Sequence, residues 1–302
     1  MDIIKIENLS KSFKDVKAVD NLSFKVKQGE LFAFLGQNGA GKSTTINIIC
    51  SRLKKDSGSV VIDGEVLDDK SFEIKRKLGV VFQSSVLDKP LSVLDNLKSR
   101  ASLYGIDDKE FEARLNELAE MFDLKSILKR PIGKLSGGQK RKVDIVRALI
   151  HKPKILILDE PTTGLDPMSR KTMWDVITRL RESENMTVFL TTHYMEEAAE
   201  ADYIVVIDGG KICAEGTPID LKNRYTKDYI YLYGVEEEQV KTLNKPYVSI
   251  AGGFKISVEN CDEATRLIVE NREIFKDYEL IKGKMDDVFL SVTGKHLQGG
   301  GL

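Results

Sequence analysis

The chain of 302 residues has little of what metal or disulfide chemistry needs. Its three cysteines, Cys50, Cys213 and Cys261, are far apart, fit no zinc spacing and are too sparse for a disulfide framework. They suit a reducing compartment, as packing residues. Histidines are as few: His151, His193 and His296. Charge of one sign is missing too, because 46 Lys+Arg nearly cancel 47 Asp+Glu, so there is no overall basic field of the kind that attracts nucleic acid. No run of eighteen apolar residues occurs, which excludes a helical membrane span. Met1-Asp2-Ile3-Ile4-Lys5 lacks the apolar stretch of a signal peptide. What remains is 41% hydrophobic and 31% charged, the composition of a globular protein with a sizeable core in one large or two modest domains.

The stretch with most content is Gly36-Gln37-Asn38-Gly39-Ala40-Gly41-Lys42-Ser43-Thr44, which fits G-x-x-x-x-G-K-[ST]. The apolar run Glu30–Leu35 ahead of it reads as a strand, and Thr45–Cys50 behind it as a buried helix. Strand, glycine loop and helix together make a phosphate cradle. Glycines bring backbone N–H groups close to an anion, and the helix N-terminus adds unsatisfied donors. In that motif Lys42 reaches the β- and γ-phosphates and the Ser43 hydroxyl is a Mg²⁺ ligand.

Other runs share the architecture. Ile3–Leu9 and Val19–Val26 alternate like half-buried strands, and Ser59–Ile62 is a further strand ending in an Asp63-Gly64 turn. Phe13, between the first two, reads by itself as a core aromatic. Leu78–Phe82 is a strand delivering Gln83, which is either a site residue at a sheet edge or an ordinary loop residue. From Ser92 to Leu128 the pattern turns helical, with Phe111, Leu115, Leu118 and Phe122 on one face. Then comes Leu135-Ser136-Gly137-Gly138-Gln139 at the start of another helix. It is a second anion site or a plain capping turn, although two adjacent glycines suggest a tighter demand than a cap makes. Ile155–Leu158 is wholly apolar, like a central parallel strand, and ends in Asp159-Glu160. Two such carboxylates are costly to bury without partners, and Mg²⁺ and a water awaiting activation would be partners. Thr187–Thr192 is a further central strand, delivering His193. Tyr203–Ile207 and Lys211–Glu215 form a hairpin.

Taken together, these motifs resemble the ATP-binding subunits of ABC transporters, over roughly residues 1–225. The phosphate loop (Gly36–Thr44), Gln83, the Leu-Ser-Gly-Gly-Gln signature (Leu135–Gln139), the acid pair closing Ile155–Glu160, the turn Gly164-Leu165-Asp166-Pro167 and His193 stand in the family's order and spacing. The tail, with Glu215-Gly216-Thr217-Pro218 and Met285–Gly294, looks like the daunorubicin-resistance type of multidrug-export ATPases. The run Lys140–Asp144 departs from cassettes with a second Gln there, which argues against an importer type.

The resemblance implies an α/β P-loop NTPase cassette: a RecA-like core sheet, an antiparallel β subdomain and a helical subdomain at about 90–150, followed by a small C-terminal α+β domain. It implies ATP and Mg²⁺ as cofactors. Gly36, Gln37, Asn38, Gly39, Ala40, Gly41, Lys42, Ser43 and Thr44 cradle the triphosphate, while Ser43, Gln83 and Asp159 organise the metal. Glu160 polarises the attacking water, His193 contacts the γ-phosphate, Lys42 and Gln83 assist, and Phe13 stacks on adenine. Ser136, Gly137, Gly138, Gln139 and Asp166 complete the site of a second cassette, expected to be an identical chain. The implied setting is the cytoplasmic face of the cell membrane, beside a separate permease, exporting a substrate this sequence does not name. No nucleic-acid partner is expected.

Residues 226–296 read as a separate unit in the order β-α-β-β-α-β, the ferredoxin-like pattern, and 297–302 as a disordered tail. The exposed aromatic pattern of RNA-binding relatives of that fold is not seen in the sequence, and a dimerisation or regulatory appendage is the expectation. Two rivals remain: a soluble ABC-type ATPase acting on nucleic acid or the ribosome, and a regulatory ATPase without a permease. Against the first, there are no sustained heptads, no second cassette and no clustered cysteines.

Overall fold

A computed structural model describes residues 1–294. The expected tail 297–302 and His296 lie outside the described residues. The chain divides into two compact units, Met1–Ile212 and Cys213–Leu302.

The first unit opens with a long hairpin, β1 (Asp2–Phe13) and β2 (Val16–Lys27). Both strands outrun their alternating segments. Bulges shift the register between Ile6 and Leu9 and again beyond Leu9, so the polar–apolar alternation breaks while the pairing continues. β3 (Leu31–Leu35) leads into the glycine loop and α1 (Lys42–Ile49). There follow β4 (Ser57–Ile62), β5 (Glu65–Val66), α2 (Ser71–Lys77) and β6 (Leu78–Val81). The helical stretch is α3 (Val93–Ser102), α4 (Asp108–Met121) and α5 (Gly137–Leu149). Side chains placed for the purpose start each of them. Ser92 and Asp95 form a capping box on α3, Asp107 caps α4, and Ser136 with Gln139 forms a second capping box on α5. The chain then continues through β7 (Ile155–Asp159), α6 (Pro167–Glu184), β8 (Thr187–Thr192), α7 (Met195–Ala199), β9 (Tyr203–Asp208) and β10 (Lys211–Gly216).

Two sheets result. One is antiparallel, in the order β2-β1-β4-β5. The other runs β10-β9-β3-β8-β7-β6, and β9, β3, β8, β7 and β6 are mutually parallel. The strands β3, β7 and β8 are buried at every position, which explains the unbroken apolar run of β3 and that of β7 up to Asp159, while β8 sets Val188, Phe189 and Leu190 between threonines. Phe24 of β2 packs on Phe32 and Phe34 of β3, with both pairs of ring centroids 5.3 Å apart, and this joins the two sheets in one core. Phe13 is not part of that core: it ends β1 with 48% of its surface exposed. The core reading fails because the bulged hairpin carries its tip beyond the packed region.

In the second unit α8 (Pro218–Tyr225) packs against α11 (Met285–Thr293). Between them lie β11 (Asp228–Tyr233), α9 (Glu237–Thr242), β12 (Tyr247–Ile250), β13 (Gly253–Val258), α10 (Cys261–Glu270) and β14 (Tyr278–Ile281). The strand order is β12-β13-β11-β14, and every neighbouring pair is antiparallel. Two interleaved β-α-β passes generate that order. The core of this unit includes Ile230, Leu232, Ile256 and Val258 from the sheet with Val240, Leu243, Ala264 and Leu267 from the helical segments.

Candidate nucleotide site

Parallel strands deliver their exits to one edge of the sheet, where ligands of open α/β sheets bind. Leu35 pairs with Thr192, Thr191 with Asp159, and Leu158 with Val81. The glycine loop, His193, Glu160 and Gln83 therefore leave the sheet side by side. A pocket of about 150 Å³ lies there, lined by Ala18, Gln37, Asn38, Gly39, Gly41, Lys42, Ser43, Thr44, Gln83 and Glu160. Gly41 explains the glycine requirement: its φ is +110°, and a Cβ would fall 2.4 Å from the carbonyl oxygen of Ala18.

Glu160 is the centre of the arrangement, and only 7% of its surface is exposed. Its Oε1 lies 3.6 Å from Lys42 Nζ and 3.4 Å from His193 Nδ1, and its Oε2 accepts from Gln83 Nε2 at 2.9 Å. Lys42 also donates to the carbonyls of Gly36 (2.7 Å) and Gln37 (3.1 Å). Burial pushes the Lys42 ammonium below its usual pKa, and Glu160 opposes that shift. Asp159 sits behind. Burial raises its carboxyl, while the Thr191 hydroxyl, donating to Oδ1 at 2.6 Å, holds it down.

Glu160 holds a left-handed backbone, φ +45°, unusual for a residue with a side chain. The surroundings enforce it. Its N–H is shared between the carbonyl and hydroxyl of Thr191, and its carbonyl accepts from Arg141 at 3.0 Å. The same Arg141 guanidinium reaches the carbonyls of Phe82 (2.6 Å), Asp159 (3.2 Å) and Pro161 (2.6 Å). One buried side chain of α5 thus fixes the exits of β6 and β7. Glu197 of α7 does similar work, accepting from the hydroxyls of Thr162 and, at 2.7 Å, Thr192, which links the segment after Glu160 to the one before His193. Sequence reasoning missed Arg141, Thr191 and Glu197. For Arg141 a signal existed: Arg141, Asp144 and Arg147 recur every third residue, placing charge on a helical face that is buried.

Gly36, Ala40, Asp159 and His193 adjoin the lining without being part of it, and three further expected groups stand apart. Phe13 is at the exposed hairpin tip. Ser136 and Gln139 are engaged in their capping box, so the capping reading holds for their side chains. A Cβ on Gly137, however, would meet nothing within 4 Å. Asp166 caps α6, accepting from Ser169 N at 2.9 Å and Oγ at 2.6 Å.

A parallel sheet whose edge carries a glycine loop with a buried lysine, beside two carboxylates, defines a P-loop nucleoside triphosphatase. A protein-family model described as ABC transporter matches residues 19–163. The chain is 34% identical over 305 residues to the Nod factor export ATP-binding protein I of Rhizobium etli, covering 99% of this chain and 95% of that one. It is 40% identical over 229 residues to the linearmycin resistance ATP-binding protein LnrL of Bacillus subtilis, covering 76% of this chain and 73% of that one. A solved dimer of the cassette MJ0796, in a post-hydrolysis state bound to ADP and Pi, superposes with a TM-score of 0.65 at 30% identity, covering 71% of this chain and 98% of that one. The chain belongs to the ABC transporter family, as an ATP-binding subunit and an ATPase.

Proposed function

We propose that this chain is the ATP-hydrolysing subunit of an exporter whose permease is a separate membrane protein. It would work at the cytoplasmic face of the membrane, paired with a second copy of itself. Similarity to relatives named for Nod factor export and linearmycin resistance supports the export direction. Among the described residues no helix is long and apolar enough to cross a membrane, so the translocation path is assigned to the partner. Residues 1–225 act as the cassette, and the residues after them as an appendage.

The convergence of Lys42, Gln83 and His193 on the Glu160 carboxylate carries the mechanism. The glycine loop binds the triphosphate, and Lys42 transfers its charge from Glu160 and the loop carbonyls to the β- and γ-phosphates. Glu160, so released, accepts a hydrogen bond from water and orients it at the γ-phosphorus. The new P–O bond forms as the bond to the ADP oxygen breaks, and His193 fixes the γ-phosphate. Positioning and electrostatics do most of the stabilising in such transfers. Phe13 stacks on adenine.

The donor set fits Mg²⁺. Ser43, Gln83 and Asp159 offer one carboxylate and two neutral oxygens, and no cluster of three His, Cys, Asp or Glu exists among the described residues. Mg²⁺ keeps waters and phosphate oxygens and needs few protein ligands. When bound it neutralises charge on the phosphates.

Ser136–Gln139 and Asp166 are assigned to the ATP of the second copy. Gly137 supports this. Nothing in its own chain crowds it, so a close approach from outside accounts for its lack of a side chain. The test is copurification: the tagged chain, expressed in its own cells, should bring a polytopic membrane protein down in detergent. A chain that never associates with a membrane protein while hydrolysing ATP normally contradicts the exporter reading.

A further inference from the structure

The core of the C-terminal unit lies between one face of its sheet and the segments of α9 and α10. On the opposite face β11 carries Tyr229, Tyr231 and Tyr233, all half-buried. Tyr231 pairs across the sheet with Lys255 of β13 on one side and Glu279 of β14 on the other. Cross-strand partners share a face. Contacts agree: Lys255 Nζ lies 3.7 Å from the ring centre of Tyr229 and 5.9 Å from that of Tyr231. Val248, opposite Lys255 on β12, extends the face and is 65% exposed. The row Lys255–Tyr231–Glu279 therefore runs straight across three strands, a cation and an anion flanking an aromatic. Among the described residues neither Lys255 nor Glu279 has an ion-pair partner.

Such a row is self-complementary. We propose that this face pairs with the same face of a second copy, about a two-fold axis lying between the two sheets, parallel to β11 and over Tyr231. A rotation about that axis carries each strand to the far side of Tyr231, so Lys255 of each copy comes opposite the partner's Glu279. Tyr231 meets its own counterpart on the axis. An axis across the strands would instead set Lys255 against Lys255, and like charges disfavour it. The contact is isologous, as closed dimers require. A single-stranded nucleic acid is the other natural occupant of an aromatic sheet face. Charge disfavours it here, since acidic residues outnumber basic ones in this unit and the face itself is mixed.

The face is small. About that axis only β13, β11 and β14 overlap their counterparts, and three strands spaced about 4.8 Å, with up to six residues rising about 3.4 Å each, give roughly 300 Å² per copy at most. A standard interface buries about 800 Å² per partner. The contact is therefore weak by itself and acts beside the pairing of the cassettes. It goes beyond the ATP-dependent pairing proposed above and needs no nucleotide.

The test is sedimentation of the full chain without nucleotide, up to about 0.5 mM. Reversible dimerisation is expected, weakened about tenfold or more by Lys255→Glu and equally by Glu279→Lys, where like charges then meet. The double variant should return to within about threefold of the parent, because the swapped pair is again complementary. A chain that stays monomeric, or a dimer indifferent to all three variants, overturns the proposal. So does tight binding of oligouridylate that is lost in Tyr231→Ala. Adding ATP to the Glu160→Gln chain reads the cassette pairing separately, so failure of one contact is not mistaken for failure of the other.

Discussion

The amide of Gln83 donates to Glu160 Oε2 at 2.9 Å, joining a residue just beyond β6 to the first residue beyond β7. With Lys42 and His193 on the other oxygen, a single carboxylate collects three separate strand exits. Glu160→Gln keeps the shape and loses the charge. Turnover should fall by about a hundred- to a thousandfold, the cost of removing a well-placed electrostatic group. ATP binding, measured by equilibrium dialysis, should persist.

Arg141 is predicted to matter as much as residues that touch nucleotide. Arg141→Met would leave four carbonyls at the exits of β6 and β7 without their donor. Leaving buried polar groups unpaired costs about 1–3 kcal/mol each at most, so a stability loss of at least 2 kcal/mol is expected by urea denaturation. Arg141→Lys should rescue little, because one ammonium cannot replace a guanidinium fork.

Asp159 gives a pH signature. Its carboxyl is raised above 3.8 mainly by burial. As pH climbs, the unfolded chain therefore loses this proton before the folded chain does. The contribution to stability is present below the unfolded value and lost as pH rises through the folded one. Asp159→Asn should thus melt higher than the parent at pH 7, with the gain fading toward about pH 4, and should lose ATPase activity. Thr191→Val, removing the hydroxyl that lowers this pKa, should shift the wild-type transition upward in pH.

Phe13 is exposed enough to be changed freely. Phe13→Ala should leave the melting temperature nearly unchanged and weaken ATP binding by about 1–3 kcal/mol, the scale of base–aromatic stacking. Phe13→Tyr should be neutral.

Much of the site was legible because its motifs are local. The glycine loop lies between a strand and a helix, and the acids close an apolar run, so a few residues carry each signal. The unbroken apolar run of β7 also placed it in the sheet centre, and β8 was read beside it as a central strand. Contacts set by tertiary structure were not legible. Arg141 finds its carbonyls 18 to 59 residues away, and Glu197 reaches Thr162 across 35. α2 escaped notice because Ile74 is its one buried residue, which leaves no apolar stripe. In the C-terminal unit the aromatic sheet face was missed, although Tyr229, Tyr231 and Tyr233 alternate along β11, and only strand pairing sets Lys255 and Glu279 on either side of Tyr231.

The signature serine separates capping from function. Asp caps a helix as well as Ser does, so Ser136→Asp should keep α5 intact and the fold stable. A carboxylate facing the partner's triphosphate should nonetheless repel it and abolish turnover. Lys42→Ala should abolish turnover from the other side of the pocket.

Mixing those two inactive chains tests the central claim, that each ATP is held between two copies. In a mixed pair one pocket combines both lesions and the other has neither. Equal amounts should recover ATPase activity, up to about a quarter of the wild-type sites. If the mixture stays as inactive as its components, each chain hydrolyses ATP with its own residues alone and the paired site is contradicted.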